Sequence, residues 1–140
     1  MTGNDFVRFF LRTPLHVLLG DTMIITVTGR KTGKKYSTPV GFYSKNGILW
    51  VLTSRDRTWW RNVKNGADVS LVLKKKPMKA FAQVELDEKK VEAYLVEYIQ
   101  QIPMAAKPFG IRIENAMPNP EDIRRVAQDR LFVKITPHLT

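Results

Sequence analysis

The chain has 140 residues, 44% of them hydrophobic, and no cysteine. That is one ordinary folded domain, without disulfides, a thiolate metal site or a thiol nucleophile. Its two histidines, His16 and His138, leave no histidine-rich metal site, and neither has an acidic partner by spacing. The formal net charge of +10 is unevenly placed: residues 30–79 carry 13 Lys/Arg against only Asp56 and Asp68, a net of +11, while the other 90 residues carry 10 basic and 11 acidic ones. A basic middle of this kind implies an anionic partner, which by charge alone is nucleic acid, an anionic membrane or a small polyanion.

Residues 5–19 read as a short helix, capped by Asn4 or Asp5, interrupted at Thr13-Pro14 and stopped by Gly20. Arg8 and Arg12 break its apolar character, so it is neither a signal peptide nor a membrane span, which needs about 18 or more apolar residues. The default is a soluble cytoplasmic protein. The same helix offers a peripheral membrane contact, with the two arginines at headgroup level.

From Met23 the pattern changes to strands. Met23–Thr28 is β-branched, Gly29–Lys35 is a glycine-containing basic turn, and Tyr36–Ser44 is a second strand whose Pro39 belongs at an edge or bulge. Lys45-Asn46-Gly47 is a hairpin turn leading into Ile48–Thr53, which is apolar on both faces and therefore covered on both sides. Residues 54–66 form a loop and short helix ended by Asn65-Gly66. Asp68–Leu73 and Ala80–Leu86 alternate as strands, joined by a turn over Lys74–Pro77.

Asp87 caps the best helix of the chain: Val91, Tyr94, Leu95, Tyr98, Ile99 and Ile102 share one face, and Pro103 ends it. Residues 103–118 have no clear period and read as a lid or substrate wall. Asn119-Pro120-Glu121-Asp122 starts a helix to Gln128, and Arg130–Thr136 is a last strand. The fold class is mainly β (α+β): one domain spanning 1–140, a six-stranded antiparallel barrel with flanking helices. No regular βαβ series is present, which argues against a Rossmann fold.

Two stretches carry candidate chemistry. In the first, the turn after the first strand brings together Arg30, Lys31, Lys34 and Lys35, the hydroxyl of Thr32, and the backbone N–H groups around Gly29 and Gly33. These groups suit a phosphate or carboxylate, although a solvated basic hairpin has the same composition. The spacing is not that of a Walker A loop, and no helix follows. In the second, Thr53-Ser54-Arg55-Asp56-Arg57 leads into Trp59-Trp60-Arg61-Asn62. Aromatics beside arginines suit a planar anionic ligand, with at least one of the tryptophans in the core. No Ser/His/Asp arrangement and no paired carboxylates are recognisable, so no catalytic residue is assigned.

Thr28-Gly29-Arg30-Lys31-Thr32-Gly33 followed by Thr38-Pro39, and then Ser54-Arg55 with Trp59-Trp60-Arg61-Asn62, resemble the motifs of the deazaflavin-dependent nitroreductase family over about residues 20–86. The resemblance implies a split β-barrel binding coenzyme F420, a deazaflavin with a phosphate and an oligoglutamate tail. It also implies hydride transfer to a small electron-poor acceptor such as a quinone, nitro compound or enone. By the same resemblance Arg30, Lys31, Thr32 and Gly33, with Lys34, hold the phosphate and tail. Thr38 and Pro39 line the ring side; Thr53, Ser54 and Arg55 meet the ring or ribityl chain; Trp59, Trp60 and Asn62 close the pocket. Tyr36 stands where members commonly carry Arg, and residues 103–140 contain no tyrosine, so no proton donor is carried over. An FMN-binding reductase of the same barrel is the alternative, and a basic nucleic-acid-binding or lipid-binding barrel is a further one. The main reading expects no nucleic acid, and a homodimer would cover the edge strand near Pro39.

Overall fold

The computed structural model describes residues 21–138. The expected helix over 5–19, with its membrane contact, lies outside the described residues. Strands β1 (Asp21–Thr28), β2 (Lys35–Lys45), β3 (Ile48–Ser54), β4 (Ala67–Leu73), β5 (Lys76–Glu85) and β8 (Arg130–Pro137) close into an antiparallel barrel in the order β1-β2-β3-β8-β5-β4. This is the six-stranded barrel read from the sequence. Helix α1 (Glu88–Gln101) and helix α2 (Pro120–Asp129) carry the chain between β5 and β8.

Alternation along β3 and β8 builds two cores. Leu49 and Val51 of β3 and Leu131, Val133 and Ile135 of β8 point into the barrel, where they meet Ile25, Val27, Leu71 and Trp60. Trp50 and Leu52, and Phe132 of β8, face outward onto Val91, Leu95, Tyr98 and Ile99 of α1. Both strands are thus covered on both sides, which is why ILWVLT reads as continuously apolar. The aromatic layer between barrel and helix is ordered by contact: Tyr43 stacks on Tyr98 at 4.9 Å, and Phe132 meets Tyr98 edge-on at 6.2 Å.

The helix starts follow the sequence signals. The Asp87 carboxylate accepts from the Lys90 N–H at 3.0 Å, and the Asn119 side chain accepts from the Asp122 N–H at 3.0 Å with Pro120 in the first turn.

Two details differ from expectation, and a third locates the charge. β5 begins at Lys76 instead of Ala80, because Lys74 and Lys75 both adopt positive φ (50° and 67°) and complete the turn in two residues. Residues 103–118 contain a two-stranded ribbon, β6 (Ile113–Glu114) and β7 (Met117–Pro118), too short to leave a period. The Lys74-Lys75 turn follows the C-terminal end of β4, which runs antiparallel to β1. It therefore lies at the opposite end of the barrel from the Gly29–Lys34 turn, and the basic excess divides between two ends.

β2 and β3 pair only at Tyr43↔Trp50, Ser44↔Leu49 and Lys45↔Ile48. Beyond that point β2 stays on β1, with Ile24 opposite Pro39, while β3 stays on β8, with Ser54 opposite Arg130. The barrel wall opens between them. Pro39, which has no N–H to donate, sits on this half-unpaired stretch, as expected of an edge.

Candidate functional site

The opening between β2 and β3 is a cavity of about 380 Å³. Thr38 and Pro39 line one side, Thr53 and Ser54 the other, and Trp59 closes one end. Strand edges that do not pair with each other leave backbone donors and acceptors facing this space, a setting for a planar polar ligand.

Trp59 also walls a second cavity, of about 470 Å³, formed with Arg30, Lys31, Thr32, Arg61 and Asn62. Three cations and no acid line it. Its shape comes from local bonds. The Gly29 N–H donates to the Lys34 carbonyl at 2.6 Å, and the Gly33 N–H to the Gly29 carbonyl at 2.8 Å. Thr32 Oγ1 accepts from the Lys34 N–H at 3.2 Å. Asn62 ties the two motifs together: its Oδ1 accepts from the Arg30 N–H at 3.2 Å, and its Nδ2 donates to the Trp59 carbonyl at 3.3 Å. Gly29 lets the turn pack closely, since a Cβ there would stand 2.7 Å from the Tyr36 ring.

A third cavity, of about 460 Å³, adjoins the first through Ser54, Asp56, Phe109 and Arg130. The far wall is the last turns of α2, including Arg125 and Asp129. Phe109 reaches it from a segment anchored by Asp122, whose carboxylate accepts from the Arg112 N–H and Nε, each at 2.9 Å. The Arg112 guanidinium, with its hydrogen bonds, holds the Asp122 carboxyl below its usual range.

The sequence-singled residues are therefore brought together with exceptions. Arg30, Lys31, Thr32 and Asn62 line the basic basin; Thr38, Pro39, Thr53 and Ser54 line the opening; Trp59 belongs to both. Gly33, at φ +73°, shapes the turn without lining a cavity, and Lys34 likewise contributes only its backbone. Trp60 is core, only 6% exposed. Arg55 turns away from the opening: its guanidinium donates to the Leu86 carbonyl at 3.0 Å and the Ala127 carbonyl at 3.1 Å. With the Arg55 N–H on the Asp129 carbonyl at 2.9 Å, it pins the C-terminal end of α2 to β3, an end where a cation is favourable.

Arg57 lay in the second stretch among the arginines read as suiting a planar anionic ligand, and Phe109 in the 103–118 segment read as a lid or substrate wall, but neither was named as a site residue, and Arg130 was missed. Arg130 was visible only as the first residue of the last strand, in a region with no net positive charge.

A closed six-stranded barrel whose wall opens onto a slot, with a cationic basin beside it, defines a split-barrel protein. The chain belongs to the F420H2-dependent quinone reductase family, whose model matches residues 12–105. It is therefore an oxidoreductase working with the deazaflavin F420 and a small-molecule acceptor. Solved structures share the fold. They include General Stress Protein 26 from Bacillus anthracis (18% identity over 89% of this chain and 90% of that one, TM-score 0.51). The heme storage protein HutZ from Vibrio cholerae is similar as well (17%, 100% and 93%, TM-score 0.53), as is a general stress FMN/FAD binding protein from Xanthomonas citri (11%, 84% and 75%, TM-score 0.50). No curated protein matches the chain. No helix among the described residues is long and apolar enough to cross a membrane.

Proposed function

We propose that the protein reduces a quinone-type acceptor, with the deazaflavin ring in the opening between β2 and β3 and the phosphate and glutamate tail in the basic basin. The observation that carries this reading is the pair of cavities sharing Trp59, one flanked by unpaired strand edges and the other lined by Arg30, Lys31 and Arg61 without an acid. A planar heterocycle with ring carbonyls suits the first, and a flexible polyanion suits the second.

When bound, reduced F420 supplies the hydride. The chain's own residues hold and orient. Thr38 and Pro39 face one side of the slot, and Thr53 and Ser54 the other. The Ser54 hydroxyl, which lines the slot, donates to the Asp56 carboxylate, so its oxygen is free to accept from a ligand. Trp59 separates ring from tail, and Arg30 and Lys31 give the tail its point charges. Nothing here requires a protein acid or base to form the bond to hydrogen, which fits the absence of a paired-carboxylate or triad motif in the sequence.

The test is a fluorescence titration with F420 beside FMN, repeated on an Arg30→Ala/Lys31→Ala variant. Both side chains are exposed, so each contact is worth about 0.5–1 kcal/mol and the pair about 5–30-fold in affinity at low salt. The expected result is tight F420 binding, weaker FMN binding, and a loss in the variant that shrinks at high salt. Equal affinity of the variant and the parent for F420 would falsify the tail assignment. FMN binding tighter than F420 binding would favour the alternative cofactor.

A further inference from the structure

The reading above assigns no role to the third cavity or to Arg130. Arg130 lines both the opening between β2 and β3 and the cavity under α2, and so stands where the two meet. Its guanidinium is half-buried, with Cζ 5.1 Å from the centre of the Phe109 ring. Among the described residues no carboxylate or carbonyl pairs with it. Asp56 and Asp129 are near enough to be felt but not bonded, and Arg57 is near enough to repel. Burial holds Arg130 below the usual arginine range, and Arg57 acts in the same direction. Of the neighbouring cations, Arg55 donates to the Leu86 and Ala127 carbonyls and Arg125 to the Phe109 and Gly110 carbonyls, while Arg57 is exposed at the edge of the opening. A half-buried guanidinium over an aromatic ring, without an ion-pair partner and facing two joined cavities, is a poised anion receptor.

We infer that the cavity under α2 is the acceptor compartment and that Arg130 binds the negative oxygen of the acceptor. This rests on the reading above, in which ring and tail occupy the other two cavities. A quinone that takes up a hydride gains one proton and two electrons. One of its oxygens is left as an oxyanion until water supplies the second proton, and the reduced deazaflavin is oxidised by the same two electrons. The charge develops next to the opening, at the place where Arg130 stands. The same contact favours acceptors that are already acidic, such as hydroxyquinones, over their neutral ethers. Arg130 is not among the residues that line the basin assigned to the tail.

The experiment compares 2-hydroxy-1,4-naphthoquinone, an anion at neutral pH, with neutral 2-methoxy-1,4-naphthoquinone. Binding of each to protein loaded with oxidised F420, where no turnover occurs, is measured alongside KM and kcat. The parent is expected to prefer the hydroxyquinone by about tenfold or more, the size of one charge-assisted hydrogen bond. Arg130→Gln should lose that preference, lower kcat for both quinones, and keep its F420 affinity; Arg130→Lys should retain part of the preference and show that the fold tolerates the change. An unchanged preference in Arg130→Gln overturns the inference. So does an F420 affinity that falls as far as in the Arg30→Ala/Lys31→Ala variant, which would make Arg130 a cofactor residue. If the parent itself fails to bind F420, the underlying reading fails, and the inference with it.

Discussion

Gly29→Ala tests whether the basic basin depends on the packing of its turn. A Cβ at position 29 would lie 2.7 Å from Tyr36 Cε2, 3.0 Å from Thr32 Oγ1 and 3.2 Å from the Lys34 carbonyl oxygen. The Tyr36 ring is 46% exposed and can swing out, but doing so breaks its 3.3 Å hydrogen bond with Thr32 Oγ1. The Lys34 carbonyl is backbone and already accepts the Gly29 N–H. Overpacking of this kind costs about 1–3 kcal/mol. Position 29 does not have a positive φ, so alanine also stiffens the unfolded chain and returns about 0.4–1 kcal/mol. The net expectation is a loss of about 1–2 kcal/mol, which lowers Tm by roughly 3–8 °C in a domain of this size. F420 affinity should fall with it, since Arg30 and Lys31 ride on the displaced turn. In a Tyr36→Ala background the principal clash is absent, and Gly29→Ala should then cost less than about 1 kcal/mol. Thermal denaturation of the four proteins of this cycle measures both numbers. An equal cost in the two backgrounds would refute the claim that Tyr36 is what glycine makes room for.

Arg55→Ala removes the donor to the Leu86 and Ala127 carbonyls and should destabilise the fold by about 1–3 kcal/mol, measured by denaturant unfolding, while changing F420 affinity far less than Arg30→Ala/Lys31→Ala does. A strong affinity loss without a stability loss would return Arg55 to the ligand. Burial raises the Tyr43 hydroxyl from 10.0 to about 12 and the Tyr98 hydroxyl further, so the fold favours both neutral forms. That contribution is fully present below the unfolded value near pH 10 and is lost as pH rises through the folded values. Stability should hold to about pH 10 and decline above it, and Tyr43→Phe or Tyr98→Phe should flatten the decline, as followed by denaturant midpoints across alkaline pH.

Much of the barrel was legible because its signals are local. Asn46-Gly47 marks the β2–β3 hairpin through positive φ at both positions, 54° and 78°. The α1 stripe follows helical spacing, and Asp87 and Asn119 cap as their side chains dictate. The basic turn and the Trp59–Asn62 segment were recognisable as a pair, and the Arg30–Asn62 hydrogen bond, 32 residues apart in sequence, is the contact that joins them. What the residues did not disclose is set by register. The wall opens because β2 follows β1 and β3 follows β8 past Tyr43, and no single strand encodes that divergence. Arg130 enters the site because it falls opposite Ser54 across the sheet. Likewise, Arg55 has the composition of a ligand residue, but Leu86 after β5 and Ala127 of α2 present its guanidinium with two carbonyls. Charge counting does not say whether the lysines at 74–76 belong with the basic turn or only to a solvated one, and the strand order puts their turn at the other end of the barrel.

The central claim is that ring and tail occupy separate, adjoining cavities, and the most direct measurement compares F420 with the same deazaflavin stripped of its phosphate and glutamate tail. In titrations at low salt of the parent protein and the Arg30→Ala/Lys31→Ala variant, the parent should bind F420 more tightly than the tail-less form. In the variant that advantage should shrink by about 5–30-fold, while the tail-less form binds both proteins equally. The account is contradicted if the tail-less form loses as much affinity in the variant as F420 does, or if the parent does not distinguish the two ligands.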